Sequence, residues 1–252
     1  MAERFPGRVS VSGPPARRRT PPESRTSPLA TLEGRSGRRE MGTVVRMLRL
    51  YDSGTGRVAE VVPARPGLLR VACADDLRAQ VVGDLIRRLA GHHRVRAVGI
   101  WNAVPGAPDL GVRPAQLPSG PADVHVGETV GRWDPAPWDG LDPLAVRLAL
   151  LETHYRADVA HSRADLTRAD ASLTTWRRGV AGWAESPGRP LDRSYVAEAV
   201  ARLDDDLDTP AALSTLSRLA TDESVPPGAK FETAVALDMI LGLDLVRLVG
   251  RL

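Results

Sequence analysis

The sequence predicts an α/β + α chain: a small βαβ unit followed by a C-terminal bundle of about five helices. Three observations predict this. Between Met47 and Trp101, short runs rich in Val, Leu and Ile flank one stretch of helical apolar spacing. From Leu141 onward the apolar spacing is helical almost throughout. In that second region Asp, Ser or Thr stands where the first four helices would start, and Pro and Gly stand between helices.

Residues 1–46 are rich in Pro, Gly, Ser and Arg and lack apolar periodicity, as in Pro14-Pro15-Ala16-Arg17-Arg18-Arg19. Such a segment cannot bury enough surface to offset its ordering entropy, so a disordered tail is predicted. Met41 and Met47 stand just before the ordered pattern, which leaves open whether the tail is translated. A reduced α/β domain is predicted over 47–128. Leu48, Leu50, Val58, Val61 and Val62 fit two short strands about the turn Ser53-Gly54-Thr55-Gly56. Leu68 to Cys73 reads as a buried strand. Asp75 or Asp76 then caps a helix with Leu77, Val81, Leu85, Ile86 and Leu89 on its apolar stripe, and Gly91 ends it. Arg94 to Trp101 reads as the next strand, and the short loops make this a βαβ unit with parallel strands.

Residues 102–140 are dense in Pro, Gly and Asp. Only Val124-His125-Val126 reads as a strand there, and 129–140 is predicted to be a linker. The bundle is predicted over 141–252. Asp142 caps its first helix, Pro143 occupies the first turn, and Leu144, Leu148 and Leu151 form the buried stripe. A long helix runs from about Ser162 to Ala184 around Leu166, Leu173, Trp176, Val180 and Trp183. A third spans about Asp192 to Leu203. A fourth starts at Thr209-Pro210 and buries Leu213, Leu216 and Leu219. A fifth follows Pro226-Pro227-Gly228 and carries Phe231, Val235 and Ile240.

The formal net charge is +3, but it is unevenly spread. Residues 1–46 hold ten arginines against four acids, whereas the rest holds 24 basic and 27 acidic residues. A basic tail suits an anionic polymer or surface, or is simply a solvated segment. The mildly acidic body argues against a broad phosphate-binding face, and no DNA partner is expected. No apolar run approaches the ~20 residues of a bilayer span, so no membrane partner is expected either. Cys73 is the single cysteine, which excludes an internal disulfide and a multi-cysteine metal cage. Together these features predict a cytoplasmic protein.

Phosphate-loop, dinucleotide, nucleophile-elbow and H-E-x-x-H patterns do not occur in the context their chemistry needs. A series of other short stretches stands out. They are Leu48-Arg49-Leu50-Tyr51-Asp52-Ser53, Leu69-Arg70-Val71-Ala72-Cys73, Asp142-Pro143-Leu144-Ala145-Val146-Arg147-Leu148, His154-Tyr155-Arg156-Ala157-Asp158, Asp204-Asp205-Asp206-Leu207-Asp208-Thr209-Pro210 and Leu241-Gly242-Leu243-Asp244. In this order they resemble cysteinyl-tRNA synthetase, of the class I aminoacyl-tRNA synthetases, and the cysteine ligase of mycothiol synthesis. The resemblance is strongest over 141–252, where it implies a helical stem-contact bundle. It is weaker over 47–101, where it implies a Rossmann-like remnant of the nucleotide-binding domain.

The chain departs from that pattern where the family's chemistry lies. In the family the first strand leads into a loop ending in H-I-G-H, which holds the ATP phosphates at a helix N-terminus. Here Cys73 runs straight into Ala74-Asp75-Asp76-Leu77, with two acids where a phosphate would dock. The family's K-M-S-K-S loop needs two lysines, and Lys230 is the only one. Cys73 matches one zinc-ligand position, without the remaining ligands; read from the residues alone it is a small core residue. The resulting expectation is a degenerate cysteinyl-tRNA synthetase-like protein with no catalytic residue, metal or cofactor assigned, binding a tRNA stem or a partner protein such as a synthetase. One alternative is an ATP-dependent cysteine ligase, which would require ATP and zinc. Another is a purely structural interaction protein.

His154, Tyr155 and Arg156 are the candidate RNA or partner contacts, as the resemblance implies. Equally, Tyr155 can pack at a helix end with Arg156 set against the helix dipole. Asp204 to Asp206 read as cation ligands or as a solvated acidic loop before an N-cap at Asp208 or Thr209. His125 reads as a satisfied strand histidine, and Arg163, Arg168, Arg177 and Arg178 as a solvated face.

Overall fold

The computed structural model describes residues 48–127 and 129–251. The tail expected over 1–46 lies outside them. The first two strands, β1 (Arg49–Asp52) and β2 (Arg57–Glu60), form an antiparallel hairpin around the expected turn. Gly56 there has φ 69°, a conformation that glycine adopts without steric cost. Strand β3 (Leu68–Cys73) is the centre of a three-stranded sheet of order β4-β3-β5, with β4 (Arg96–Ile100) and β5 (Val124–Val126) both parallel to it. The parallel βαβ unit expected from the sequence is therefore present.

Helix α1 (Leu77–His92) joins β3 to β4 and is buried almost all the way round. Asp76 rather than Asp75 caps it, accepting from the Ala79 amide at 2.8 Å. Val81, Leu85, Ile86 and Leu89 are buried, as the spacing required. The surprise is the opposite face, where Arg78, Gln80, Asp84 and Arg87 are buried as well. Burying polar groups is tolerable only if they are hydrogen-bonded. Gln80 Nε2 accordingly donates to the Asn102 carbonyl at 2.6 Å, and an Arg87 Nη donates to the Arg113 carbonyl at 2.9 Å. Thus the 102–123 segment is tied down by the polar face of α1, and Ala107, Leu110 and Val112 within it are buried.

Gly91 does not end α1. The helix continues to His92, and Arg94 takes the left-handed conformation at φ 61°. The amides of Arg94 and Val95 donate back to the carbonyls of Gly91 and Ala90, closing a Schellman-type terminus around an arginine. The expected linker over 129–140 also carries structure. Strand β6 (Trp133–Pro135) pairs in parallel with β7 (Val159–His161), and Trp133 stacks on Trp138 with ring centres 5.9 Å apart. Three-residue strands with a proline give no alternating pattern to read, so neither was visible in the sequence.

The five expected helices follow: α2 (Pro143–Leu151), α3 (Arg163–Ala184), α4 (Arg193–Asp204), α5 (Thr209–Thr221) and α6 (Pro227–Leu241). Asp142, Ser162, Asp192 and Asp208 each cap their helix with a side-chain oxygen, and Ser162 forms a reciprocal capping box with Asp165. Gly242, at φ 69°, terminates α6. One apolar cluster runs from Leu69 and Val71 of the sheet through α1 to Leu237, Leu243 and Leu245. The α/β + α architecture stands: a small Rossmann-like unit and a helical C-terminal region. Among the described residues, no helix is long and apolar enough to cross a membrane.

Candidate functional site

The structure brings His154, Tyr155 and Arg156 together on one residue, Asp206. They lie on the loop beyond α2, which ends at Leu151, so neither Tyr155 nor Arg156 caps a helix. The Tyr155 hydroxyl donates to Asp206 Oδ1 at 2.7 Å, and Arg156 donates to Asp206 Oδ2. His154 Nε2 lies 2.9 Å from the Asp206 carbonyl oxygen. The Tyr51 amide of β1 also donates to Asp206 Oδ1, and the Arg156 guanidinium stacks over the Tyr51 ring at 4.6 Å. Burial and then the Asp206 carboxylate push the Tyr155 phenol upward, so it remains a protonated donor. Asp206 itself has φ 61°, and the next residue, the fully buried Leu207, has φ 52°. Two consecutive left-handed residues without glycine are costly and are held by these surrounding contacts.

The acidic stretch is therefore solvated only at Asp205, which is exposed. Asp206 and Asp204 are each 6% exposed. Asp205 pairs with Arg49, and the Asp206 amide donates to the Arg49 carbonyl. Asp204 Oδ1 lies 2.6 Å from His93 Nε2. Of the two N-cap expectations, Asp208 is the cap.

A second centre lies deeper. Asp84 of α1 is fully buried and meets three arginines: Arg88 at 2.6 Å, Arg113 at 2.9 Å and Arg147 at 3.0 Å. Burial opposes its ionisation, yet Arg147 and Arg88 outweigh that and hold the carboxyl below the usual range. Arg147, itself fully buried, also donates to the carbonyls of Leu241 and Leu110. Arg177 is not on a solvated face: it is buried and reaches Asp142 and the carbonyls of Leu243 and Asp244. Asp238 accepts from the amides of Leu243 and Leu245. The Asp142–Leu148 and Leu241–Asp244 stretches thus meet through Arg147 and Arg177. None of these roles was read from the sequence. The Asp84–Arg88 spacing was available, but it resembles an ordinary surface i,i+4 pair.

The third region is the C-terminal edge of the sheet, where the resemblance implies a nucleotide and zinc. Asp76 already occupies the start of α1 as its cap. Arg78, in the first turn and 1% exposed, donates to the carbonyls of Gly131 at 2.8 Å, Ala157 at 2.7 Å and His154 at 3.2 Å. These bonds draw two loops across the helix start, so this end of α1 does not fit a triphosphate cradle. The Cys73 thiol faces α1, in contact with Gly83, and burial pushes it up to about 12. No group of three or more His, Cys, Asp or Glu able to hold a metal is present among the described residues. The surroundings of Cys73 do not fit a zinc site. His125 lies exposed on β5, away from this edge's interior.

No family model matches the chain. Over 112 residues, 42% of its length, the chain is 39% identical to the L-cysteine:1D-myo-inositol 2-amino-2-deoxy-alpha-D-glucopyranoside ligase of Sanguibacter keddieii, covering 25% of that protein. Ligases of the same name from Salinispora arenicola and Nakamurella multipartita are 39% and 41% identical, over 26% and 24% of their lengths. Over that stretch the chain is cysteine-ligase-like. It spans about a quarter of the length of these curated relatives. The resemblance to the cysteine ligase that the short stretches carried is thus matched by direct comparison.

Proposed function

We propose that this cysteine-ligase-like protein does not activate cysteine and works as a cytoplasmic binding module whose partner is a protein. The observation that carries the reading is the closed start of α1, where the Asp76 cap and the carbonyl bonds of Arg78 take the place a triphosphate would need. The buried thiol of Cys73 supports it, because the thiolate is the metal-binding form. A protein partner is favoured over a tRNA stem for two reasons. The Tyr155 hydroxyl, His154 Nε2 and one guanidinium nitrogen of Arg156 are already engaged on Asp206, and the chain beyond the tail is mildly acidic.

ATP–pyrophosphate exchange with cysteine tests the first half. No exchange is expected at millimolar ATP, and measurable exchange would overturn the reading in favour of an ATP-dependent cysteine ligase. A gel shift of the whole protein with total tRNA tests the second half. Binding that collapses as salt rises is the expected result, since it reports only the basic tail. Salt-resistant binding lost in Arg156→Ala would instead make the Asp206 cluster a stem contact.

A further inference from the structure

A groove of about 300 Å³ runs between the C-terminal end of α1 and one face of α4. Leu191, Val196 and Val200 give it apolar walls, with His93 and Asp204 among its lining at one end of α4 and Arg193 at the other. Arg193 and Asp204 are the first and last residues of α4, which puts them roughly 16 Å apart at 1.5 Å per residue. The groove thus has an anionic end, a greasy middle and a cationic end.

The anionic end is incomplete. Asp204 is 6% exposed, and His93 occupies its Oδ1, but its Oδ2 is buried with no hydrogen-bond partner. Native interiors rarely leave such an oxygen unserved, and its neighbours in the groove supply no donor to it. His92 adds no competing cation near neutrality, because burial and then His93 hold its imidazole below the usual range. For an ammonium to reach Asp204, the His93 ring is the wall that must turn aside. Its side chain is 17% exposed, and turning it aside would open both Asp204 oxygens to the groove. An ammonium brings three donors, enough for both oxygens.

We propose that this groove binds a small primary amine with an apolar chain, its ammonium on Asp204 and its chain along Val196 and Val200, with extra affinity when a carboxylate at the far end meets Arg193. The proposal is independent of the reading above, since it uses neither the sheet edge nor the Asp206 cluster. The test is an amide and imidazole NMR titration of the whole protein with n-octylamine, ω-aminooctanoate, octanoate and n-octanol. Both amines should shift the signals of His93 and residues 196–204, with ω-aminooctanoate the tighter. Asp204→Asn should weaken amine binding by roughly tenfold or more, since it removes the charge-assisted acceptor. Should Asp204→Asn fail to give a folded spectrum, Ala197→Trp serves, filling the groove while leaving Asp204 and His93 in place; it should abolish binding. Three results would each overturn the proposal: no saturable shift up to about 5 mM, a weak affinity by any standard; n-octanol binding as tightly as n-octylamine; or amine binding unchanged in a folded variant.

Discussion

Gly83 stands in the middle of α1, where glycine costs roughly 1 kcal/mol relative to alanine. Its neighbour explains it. A Cβ at Gly83 would overlap Cys73 Sγ, while Trp101 and Val71 side-chain atoms would sit at 3.6 and 3.7 Å, ordinary contact distances. Gly83→Ala therefore sets about 1 kcal/mol of helix propensity against an overpacking cost of about 1–3 kcal/mol. Cys73 sits on the central strand and is flanked by β4 and β5, so the sulfur has little room to retreat. The upper end of the cost applies, and a net loss of about 1–2 kcal/mol is expected. Cys73→Ala removes the clashing atom and leaves a small void worth about 1 kcal/mol. On that background Gly83→Ala should stabilise by up to about 1 kcal/mol, giving a coupling of about 2–3 kcal/mol across the cycle. Urea unfolding followed by tryptophan fluorescence and far-UV circular dichroism measures this. With a slope of about 2–3 kcal/mol/M, the effect of Gly83→Ala on the midpoint should differ by about 1 M between the two backgrounds. An equal effect in both backgrounds would refute the argument that the sulfur dictates the glycine.

Three further perturbations test other parts of the structure. Asp84→Asn leaves the buried Arg147 uncompensated and should cost about 3–5 kcal/mol in urea unfolding. The Asp84 carboxyl is depressed in the folded state, so its contribution is complete above the unfolded value of about 3.9 and is lost as pH falls through the lower folded value. Acid unfolding followed by circular dichroism should accordingly be less steep below about pH 4 in Asp84→Asn than in the parent chain. Arg94→Gly should stabilise by about 1 kcal/mol, because the exposed Arg94 holds a left-handed conformation that glycine adopts freely; an unchanged or lower unfolding midpoint would count against the Schellman assignment. Asp206→Asn keeps a residue that tolerates the left-handed region but removes the charge that Tyr155 and Arg156 bond to. A loss of about 2–3 kcal/mol is expected, together with faster amide exchange in β1, which Asp206 anchors through Tyr51.

The sequence made the elements legible where periodicity and capping chemistry agree. Asp142, Ser162 and Asp192 each precede an apolar repeat at helical spacing, and each begins a helix. The strand run Leu68–Cys73 was readable because it is apolar apart from Arg70, with the β-branched Val71 at its buried centre. What stayed hidden was everything decided by the partner rather than by the residue. Gly91 is the residue type that favours a helix terminus, but the left-handed position fell on Arg94, because the chain must turn there to enter β4. Arg177 looked like a surface charge and Arg147 was given no role, and only the meeting of α2, α3 and the segment after α6 buries them. Asp204 and Asp206 looked solvated because their partners lie between about 50 and 155 residues earlier in the chain.

This last point bears on what the family likeness means. The stretches that carried the resemblance all have a packing duty. Asp142 receives Arg177 and Arg247, Arg147 receives the end of α6, the Asp204–Asp206 turn receives His154 to Arg156 and Tyr51, and Leu243 is held by Asp238. A buried charge stripped of its partner costs several kcal/mol, a large fraction of any domain's stability. Residues in such networks therefore stay matched to one another whether or not a reaction is performed nearby.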